Sequence, residues 1–176
     1  MPAYNGKSLN SCMHTDAKLQ QDIVKVLCRW RCYLIVFTCD IEKMFRQILM
    51  HVLDRDWLRI VYDFGTGLGL QNFRLCTVTY DTACAPFQAL RILKLLIELL
   101  EQLCPDSPYL PWLRELFDEL SYVDDFFGGA DTVAEAITER EALTTTLWAA
   151  KIPLGKWSVN HKDLRPGLTD IDQTEL

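Results

Sequence analysis

The chain has 176 residues, 49% of them hydrophobic, which is enough to bury the core of little more than one domain. Its 18 Lys and Arg residues are outnumbered by 24 Asp and Glu residues, and the net charge of −6 excludes a protein whose whole surface tracks nucleic acid. The charge is uneven, because residues 1–60 carry +3 and residues 61–176 carry −9. Any contact with nucleic acid is therefore expected to be local.

The seven cysteines are odd in number and include no CxxC pair, which argues against a disulfide framework. Cys28, Cys32 and Cys39 have no histidine at zinc-site spacing, so small buried side chains are favoured over a metal site. The first ten residues lack the apolar stretch of a secretory signal, and charges interrupt the apolar run 89–103. These features predict a soluble, intracellular protein with no membrane partner.

Hydrophobic periodicity and β-branched runs predict the elements along the chain. A first helix, capped by Thr15 or Asp16, runs to about Cys32. Further helices are predicted at 83–103, 110–117 and 132–149, the last with Glu135 completing an N-terminal capping box. Strands are predicted at 33–38, 57–63, 72–80, 119–123 and 152–157, and the chain leaves a hairpin through Phe126 and Phe127.

This irregular alternation of strands and helices predicts an α+β fold, an antiparallel sheet with helices packed on one face. We expect residues 1–165 to form one domain. Residues 166–176 would be a frayed tail or the start of another subdomain. The glycine-rich segment 65–69 suggests a phosphate-binding loop. Because no GxGxxG or GK[ST] pattern follows it, a hairpin loop is favoured.

Aspartate residues lie at the end of one predicted strand and at the tip of one predicted hairpin. Asp40 lies at the end of a predicted strand, and Asp124 and Asp125 form the tip of a predicted hairpin. Adjacent strands would bring these carboxylates together, and neighbouring like charges need protons or divalent cations to neutralise them. Two Mg²⁺ ions held by such oxygens support in-line displacement at a phosphate. An isolated Asp-Asp pair, by contrast, is typical of a solvated turn.

The residues around these carboxylates resemble the reverse transcriptases of Pao/BEL long-terminal-repeat retrotransposons. Segments 37–48 (FTCDIEKMFRQI) and 77–87 (TVTYDTACAPF) resemble the family's motifs A and B. Segment 122–125 (YVDD) matches motif C, 155–160 (GKWSVN) resembles the motif D region, and 7–12 (KSLNSC) resembles the stretch before motif A. The likeness covers nearly the whole chain in the family's order.

The resemblance implies a reverse-transcriptase palm with a ferredoxin-like core, and RNA-directed DNA synthesis with two Mg²⁺ or Mn²⁺ ions. It implies that Asp40, Asp124 and the main-chain carbonyl of Ile41 hold the ions, with Asp125 a less direct ligand. Lys156 would protonate the departing pyrophosphate or pair with phosphate, and an exposed surface lysine is the alternative. Arg46, Arg55 and Arg59 would touch phosphates or pair with nearby carboxylates such as Asp54 or Asp56.

The resemblance also implies residues that contact substrates. Phe45 would lie beneath the sugar and reject a 2′-hydroxyl by collision, and an ordinary core aromatic is the alternative. Asp81 stands where the family carries glycine, in a turn that approaches the duplex closely. The expected nucleotide contacts are Phe45, Tyr80, Ala85, Pro86 and Tyr122, and the expected template contacts are Asp81 and Thr82.

The implied partners are an RNA or DNA template with its primer, deoxynucleotides, and the rest of a polyprotein with fingers, thumb, RNase H, protease and integrase. The chain would act in a cytoplasmic retroelement particle or in the nucleus. The resemblance further implies that most of the fingers and the thumb lie outside this chain, which would account for its acidity. Two alternatives stay open: an inactive or co-opted remnant that at most binds nucleic acid weakly, and a nucleotidyl cyclase suggested by the segment 127–131 (FGGAD).

Overall fold

The computed structural model describes residues 6–15, 17–165 and 174–175. By its internal contacts the chain divides into two compact units. Unit 1 comprises residues 1–18 and 43–89, and unit 2 comprises residues 19–42 and 90–176. Among the described residues, no helix is both long enough and apolar enough to cross a membrane.

Unit 2 contains a five-stranded sheet. Its strands are β1 (Ile35–Ile41), β4 (Ser121–Tyr122), β5 (Asp125–Ala130), β6 (Leu154–Val159) and β7 (Thr174–Glu175). They lie in the order β4-β5-β1-β6-β7, and neighbouring strands are antiparallel except β6 and β7, which pair in parallel. The predicted mixed α+β fold with an antiparallel sheet is thereby confirmed.

Three helices of unit 2 pack against strands of the sheet: α1 (Ile23–Trp30), α4 (Leu110–Glu119) and α5 (Val133–Ala149). Residues 90–103 of α3 (Ala85–Leu103) also belong to this unit. Alternate residues of β1 point to the same face, and there Phe37, Cys39 and Ile41 are at most 1% exposed. Phe126 of β5 lies beside Cys39 and packs against Phe117 of α4, with ring centroids 4.9 Å apart. This face of the sheet is the core of unit 2.

The helix starts show where side-chain caps decide the boundaries. The Thr132 hydroxyl accepts a hydrogen bond from the Glu135 backbone N–H, which confirms the predicted cap of α5. The expected start of α1 is wrong, since the helix begins at Ile23, where the Asp22 carboxylate accepts from the Val24 N–H. Of the two expected caps, Thr15 precedes non-helical chain, and Asp16 lies outside the described residues.

Unit 1 carries α2 (Met44–Gln47), the first residues of α3, and a hairpin of β2 (Arg59–Tyr62) and β3 (Gln71–Arg74). The hairpin confirms the interpretation of segment 65–69 as a loop, because Gly65, Gly67 and Gly69 have φ values of +69° to +79° that disfavour other residues. The predicted strand 72–80 is too long. Beyond Arg74 the chain makes one isolated bridge, between Leu49 and Thr77.

The predicted burial of the cysteines is confirmed for some of them and wrong for others. The seven thiols are free, and Cys39 is buried as expected, but Cys28 on α1 and Cys32, two residues after the end of α1, are exposed. The expectation of small buried cysteines is therefore wrong for that pair.

In the C-terminal tail, residues 174 and 175 add β7 to the sheet, and the other residues from 166 onwards lie outside the described part of the chain.

Candidate active site

The two acidic segments meet in the sheet of unit 2. Asp40 and Asp125 are opposite each other in the antiparallel pairing of β1 with β5. The Ile41 backbone N–H donates to the Asp124 carbonyl, with N and O 2.8 Å apart. Val123 enters the turn with φ of +57°, a left-handed conformation that β-branched residues rarely adopt. The tight turn between β4 and β5 thus brings residues 124–125 beside the end of β1.

Asp40 is nearly buried, with 8% of its surface exposed. Its Oδ1 atom is buried and has no hydrogen-bond partner, and its Oδ2 accepts from the Lys156 ammonium. The Lys156 side chain is otherwise 82% exposed. An unpaired acceptor at a buried carboxylate costs about 1–3 kcal/mol. The protein therefore tolerates an incompletely paired charge at this position.

Lys156 reaches Asp40 from the other neighbour of β1. Gly155 of β6 is the register partner of Asp40, and the pairing is irregular between Thr38 and Asp40. Lys156 has φ of +47°, an unusual value within a strand. A side chain at Gly155 would place its Cβ 2.6 Å from Glu42 Oε1. The local backbone therefore fixes the approach of the ammonium to Asp40.

Mutual repulsion and burial shift the titration of this cluster. Burial, and then the Asp124 and Asp40 carboxylates, raise the pKa of Asp125, and Lys156 opposes them. The hydrogen bond to Asp40 raises the pKa of Lys156. Burial raises the pKa of the Cys39 thiol well above its ordinary value, and Asp40 and Asp125 add to the effect. The three carboxylates of this cluster are therefore opposed by the single positive charge of Lys156.

The donor set can be tested for a divalent cation. Carboxylate oxygens are the ligands Mg²⁺ and Mn²⁺ prefer, and the unpartnered Asp40 Oδ1 is an available donor. Within the described ranges, no three His, Cys, Asp or Glu side chains are grouped as a metal site. The carboxylates of Asp40, Asp124 and Asp125 suit a hard cation in their donor chemistry, but in the described structure their side chains are not gathered into a metal site.

Other predicted residues lie in unit 1. Phe45 of α2 packs edge-to-face on Tyr80, with ring centroids 5.0 Å apart, and Tyr80 is 51% exposed. Asp81 has φ of +64°, which gives a reason for glycine at this position in the family it resembles. Asp is among the few residues that tolerate this conformation. The departure from glycine is therefore compatible with the backbone of the turn.

The turn after Tyr80 is held by its own polar groups. The Thr82 hydroxyl donates to the Thr79 carbonyl at 2.7 Å, and the Ala85 N–H donates to the Thr82 carbonyl at 3.0 Å. Ala85 is buried, at 2% exposure, and Pro86 is exposed. Tyr122, the remaining predicted contact, lies in unit 2 as the β4 partner of Asp125.

Asn10 is a residue that sequence reasoning missed. Its Nδ2 donates to the Asp81 carbonyl at 2.7 Å, and its Oδ1 accepts from the Ala83 N–H at 2.9 Å. The amide thus bridges both sides of the turn, from a position more than 70 residues earlier in the chain. Asn10 lies in segment 7–12, which resembles the family, but no local sequence pattern indicated its two hydrogen bonds to the turn.

Arg59 follows the alternative interpretation, pairing with a nearby carboxylate. Arg59 pairs with Asp56 at 2.7 Å, and Arg55 Nε donates to the Met50 carbonyl at 3.0 Å. Arg46 is exposed on α2. Ion pairing within unit 1 therefore explains Arg59 without a bound phosphate.

No protein-family model matches the chain, and no curated protein is significantly similar to it.

Proposed function

We propose that the chain carries the palm of an RNA-directed DNA polymerase of the Pao/BEL type. One observation supports it most: Asp40 and Asp125 are register partners, and Asp40 keeps a buried oxygen without a partner. The order β6-β1-β5-β4, with all neighbours antiparallel, is also that of a ferredoxin-like βαββαβ sheet. That topology would put the motif A and motif C carboxylates on adjacent strands, as the proposed reaction requires.

In this proposal Asp40, Asp124 and the Ile41 carbonyl hold the divalent ions, and Asp125 assists. Bound Mg²⁺ or Mn²⁺ would lower the pKa of the attacking 3′-hydroxyl and stabilise the leaving pyrophosphate. Lys156 gives up its contact with Asp40 when cations bind there. A lysine released from Asp40 is still protonated at neutral pH, so it can then donate a proton or a hydrogen bond to a phosphate oxygen.

The residues of unit 1 supply substrate contacts in this proposal. Phe45, braced by Tyr80, limits the space for a 2′-hydroxyl. Tyr80 and Pro86, which are exposed, contact the incoming deoxynucleotide, and the buried Ala85 supports the turn from inside. Tyr122 of unit 2, the β4 partner of Asp125, is the remaining proposed nucleotide contact. Asp81 and Thr82 face the template, in a turn that Asn10 holds. The template–primer duplex and the other parts of a retroelement polyprotein are the partners.

The test is primer extension on poly-rA/oligo-dT with Mg²⁺ or Mn²⁺, using the chain within its complete open reading frame. Asp124→Asn keeps the shape of the side chain but removes a charge from the proposed ligand set, so we expect extension to fall by about 10²-fold or more. Asp106→Asn, in a loop outside the site, is the matched control and should extend like the wild type. Equal extension by wild type and Asp124→Asn would contradict the proposal.

An inactive remnant that keeps the fold is the second candidate. The absence of a grouped metal site among residues 6–15, 17–165 and 174–175 favours it, as does the contact of Lys156 with Asp40. Terbium luminescence, excited through Trp157 or Tyr122, separates the two candidates without an activity assay. A polymerase palm should bind Tb³⁺ and lose that binding in Asp40→Asn, whereas a remnant should give the same weak signal in both proteins.

A further inference from the structure

Unit 1 contains a cavity of about 560 Å³ that the proposed function does not use. Three stretches of chain form its wall: the segment around the 3₁₀ turn Asn10–Cys12, the loop between α2 and β2, and the start of α3. Its volume is in the range of ordinary small-molecule sites. The apolar part of the wall consists of Leu9, Met13, Met50, Trp57 and Leu58.

The cavity leaves apolar surface exposed to water. Trp57 is 70% exposed and Leu9 is 38% exposed, although Leu58 beside them is buried. Covering apolar surface contributes about 25 cal/mol per Å². Met13 and Met50 have flexible side chains that can adjust to the shape of an occupant. The wall is therefore suited to an apolar molecule.

The polar groups of the wall indicate which functional groups and which charge an occupant of the cavity carries. Gln88 lines the cavity, and its Oε1 is buried without a hydrogen-bond partner, so rotation of the amide toward the cavity would let Oε1 accept from an N–H or O–H group of an occupant. Lys7 and Asp54 bring one positive and one negative charge to the wall, and together they favour neither sign of charge. We infer that this cavity binds a small, uncharged, largely apolar molecule that donates one hydrogen bond to Gln88.

The position of the cavity connects it to the turn that Asn10 holds. Asn10 lies between Leu9 and Cys12 of the wall, and its amide bonds Asp81 and Ala83. Cys84, the next residue, is itself part of the wall, and its Sγ lies 3.7 Å from Met13 Sδ. An occupant would therefore brace both sides of this turn.

N-Phenyl-1-naphthylamine is a suitable probe, because it is neutral, apolar, fluorescent in apolar surroundings and carries one N–H donor. Wild-type chain should bind it with increased fluorescence and should bind the phenyl naphthyl ether, which lacks the N–H, about three- to tenfold more weakly. Gln88→Met should remove this preference, and Gln102→Met, farther along α3, should keep it. Equal affinity of wild type for amine and ether would overturn the hydrogen bond to Gln88.

Thiol labelling tests the location without any variant. Cys12 is exposed and lies in the cavity wall, and Cys76 is an exposed thiol of the same unit that does not line it. Saturating probe should slow the reaction of N-ethylmaleimide with Cys12 several-fold, as read by peptide mass spectrometry, and leave Cys76 unchanged. Unchanged labelling of Cys12 at saturation, or equal slowing at both thiols, would overturn the assignment of the site.

Discussion

Asp40 illustrates how a single residue can be costly to the fold and useful to a reaction. Its carboxylate is nearly buried, it faces Asp125 across the ladder, and one of its oxygens has no partner. Fold stability alone favours replacing such a group by an apolar side chain of similar size. The exposed ammonium of Lys156 pairs with Oδ2 of this carboxylate and leaves Oδ1 without a partner. This incomplete pairing is what the proposed metal chemistry needs.

Glu139 is a second acidic residue in an unfavourable environment, on α5 and away from the proposed active site. Burial, and then the Glu135 and Glu115 carboxylates, raise its pKa from 4.5 to about 7. Its Oε2 is buried without a hydrogen-bond partner. Because the pKa is higher in the folded chain than in the unfolded chain, the folded state binds the proton more tightly. Stability is therefore lost as the pH rises from about 4.5 to about 7.

Replacing Glu139 by glutamine removes this ionisation. Since the carboxyl group is only partly buried, we expect Glu139→Gln to stabilise the chain by about 1–2 kcal/mol at pH 8 and by much less at pH 5. Urea unfolding at the two pH values measures the difference. Glu141→Gln on the same helix is the control, because that side chain is 66% exposed and should show no pH-dependent gain. An equal gain for Glu139→Gln at both pH values would contradict the ionisation argument.

At the scale of elements, the central strands depend on close backbone approach. Gly128 of β5 is opposite Phe37 of β1, and a Cβ there would collide with the fully buried Phe37 ring. Gly155 of β6 is opposite Asp40, and a Cβ there would meet the carboxylate end of Glu42, an exposed side chain that can move. The two glycines sit on the two neighbours of β1 and differ in what they contact.

We therefore expect Gly128→Ala to destabilise the chain by about 3 kcal/mol and Gly155→Ala by about 1 kcal/mol. The first change must displace a buried aromatic ring, and the second must displace the exposed side chain of Glu42. Thermal unfolding of the two variants beside the wild type measures both effects. Similar losses in the two variants would show that backbone strain, and not the Phe37 ring, sets the cost.

Several elements were predictable because their signals are local. The apolar period of α3, the N-terminal capping box of α5 and the β-branched run of β1 predicted these elements to within a few residues. The start of α1 was not predictable from Thr15, because Asp22 is an equally good cap and forms the hydrogen bond. The strand pattern of 75–80 misled because alternation indicates a strand only where a partner strand exists, and here Leu49 supplies a single bridge.

The candidate site was predictable in its residues more than in its contacts. The acidic turn and Asp40 stood out in the sequence, but which residue faces which depends on register, and the partner of Asp40 proved to be Asp125. The contact of Lys156 with Asp40 depends on the irregular pairing of β6 with β1. The clamp by Asn10 joins segments more than 70 residues apart. Such contacts follow from tertiary packing, which no local pattern encodes.

At the scale of the whole molecule, the uneven charge follows the two compact units. Unit 1 has seven Lys and Arg residues against five Asp and Glu residues, a formal +2. Unit 2 has 11 against 19, a formal −8, and it contains the proposed metal ligands. Repulsion between phosphates and unit 2 should leave the chain with few phosphate contacts, provided mainly by unit 1.

This charge distribution predicts a shallow salt dependence for nucleic-acid binding. With Arg59 and Arg74 already paired to Asp56, we expect about three or four phosphate contacts on poly-rA/oligo-dT. The slope of log K against log salt should then be about −3 in a fluorescence anisotropy titration with NaCl. Arg46→Gln, in unit 1, should reduce the slope by about one, and Lys162→Gln, in unit 2, should leave it unchanged. A slope of about −6 or steeper, or an equal effect of both variants, would contradict this division of the charge.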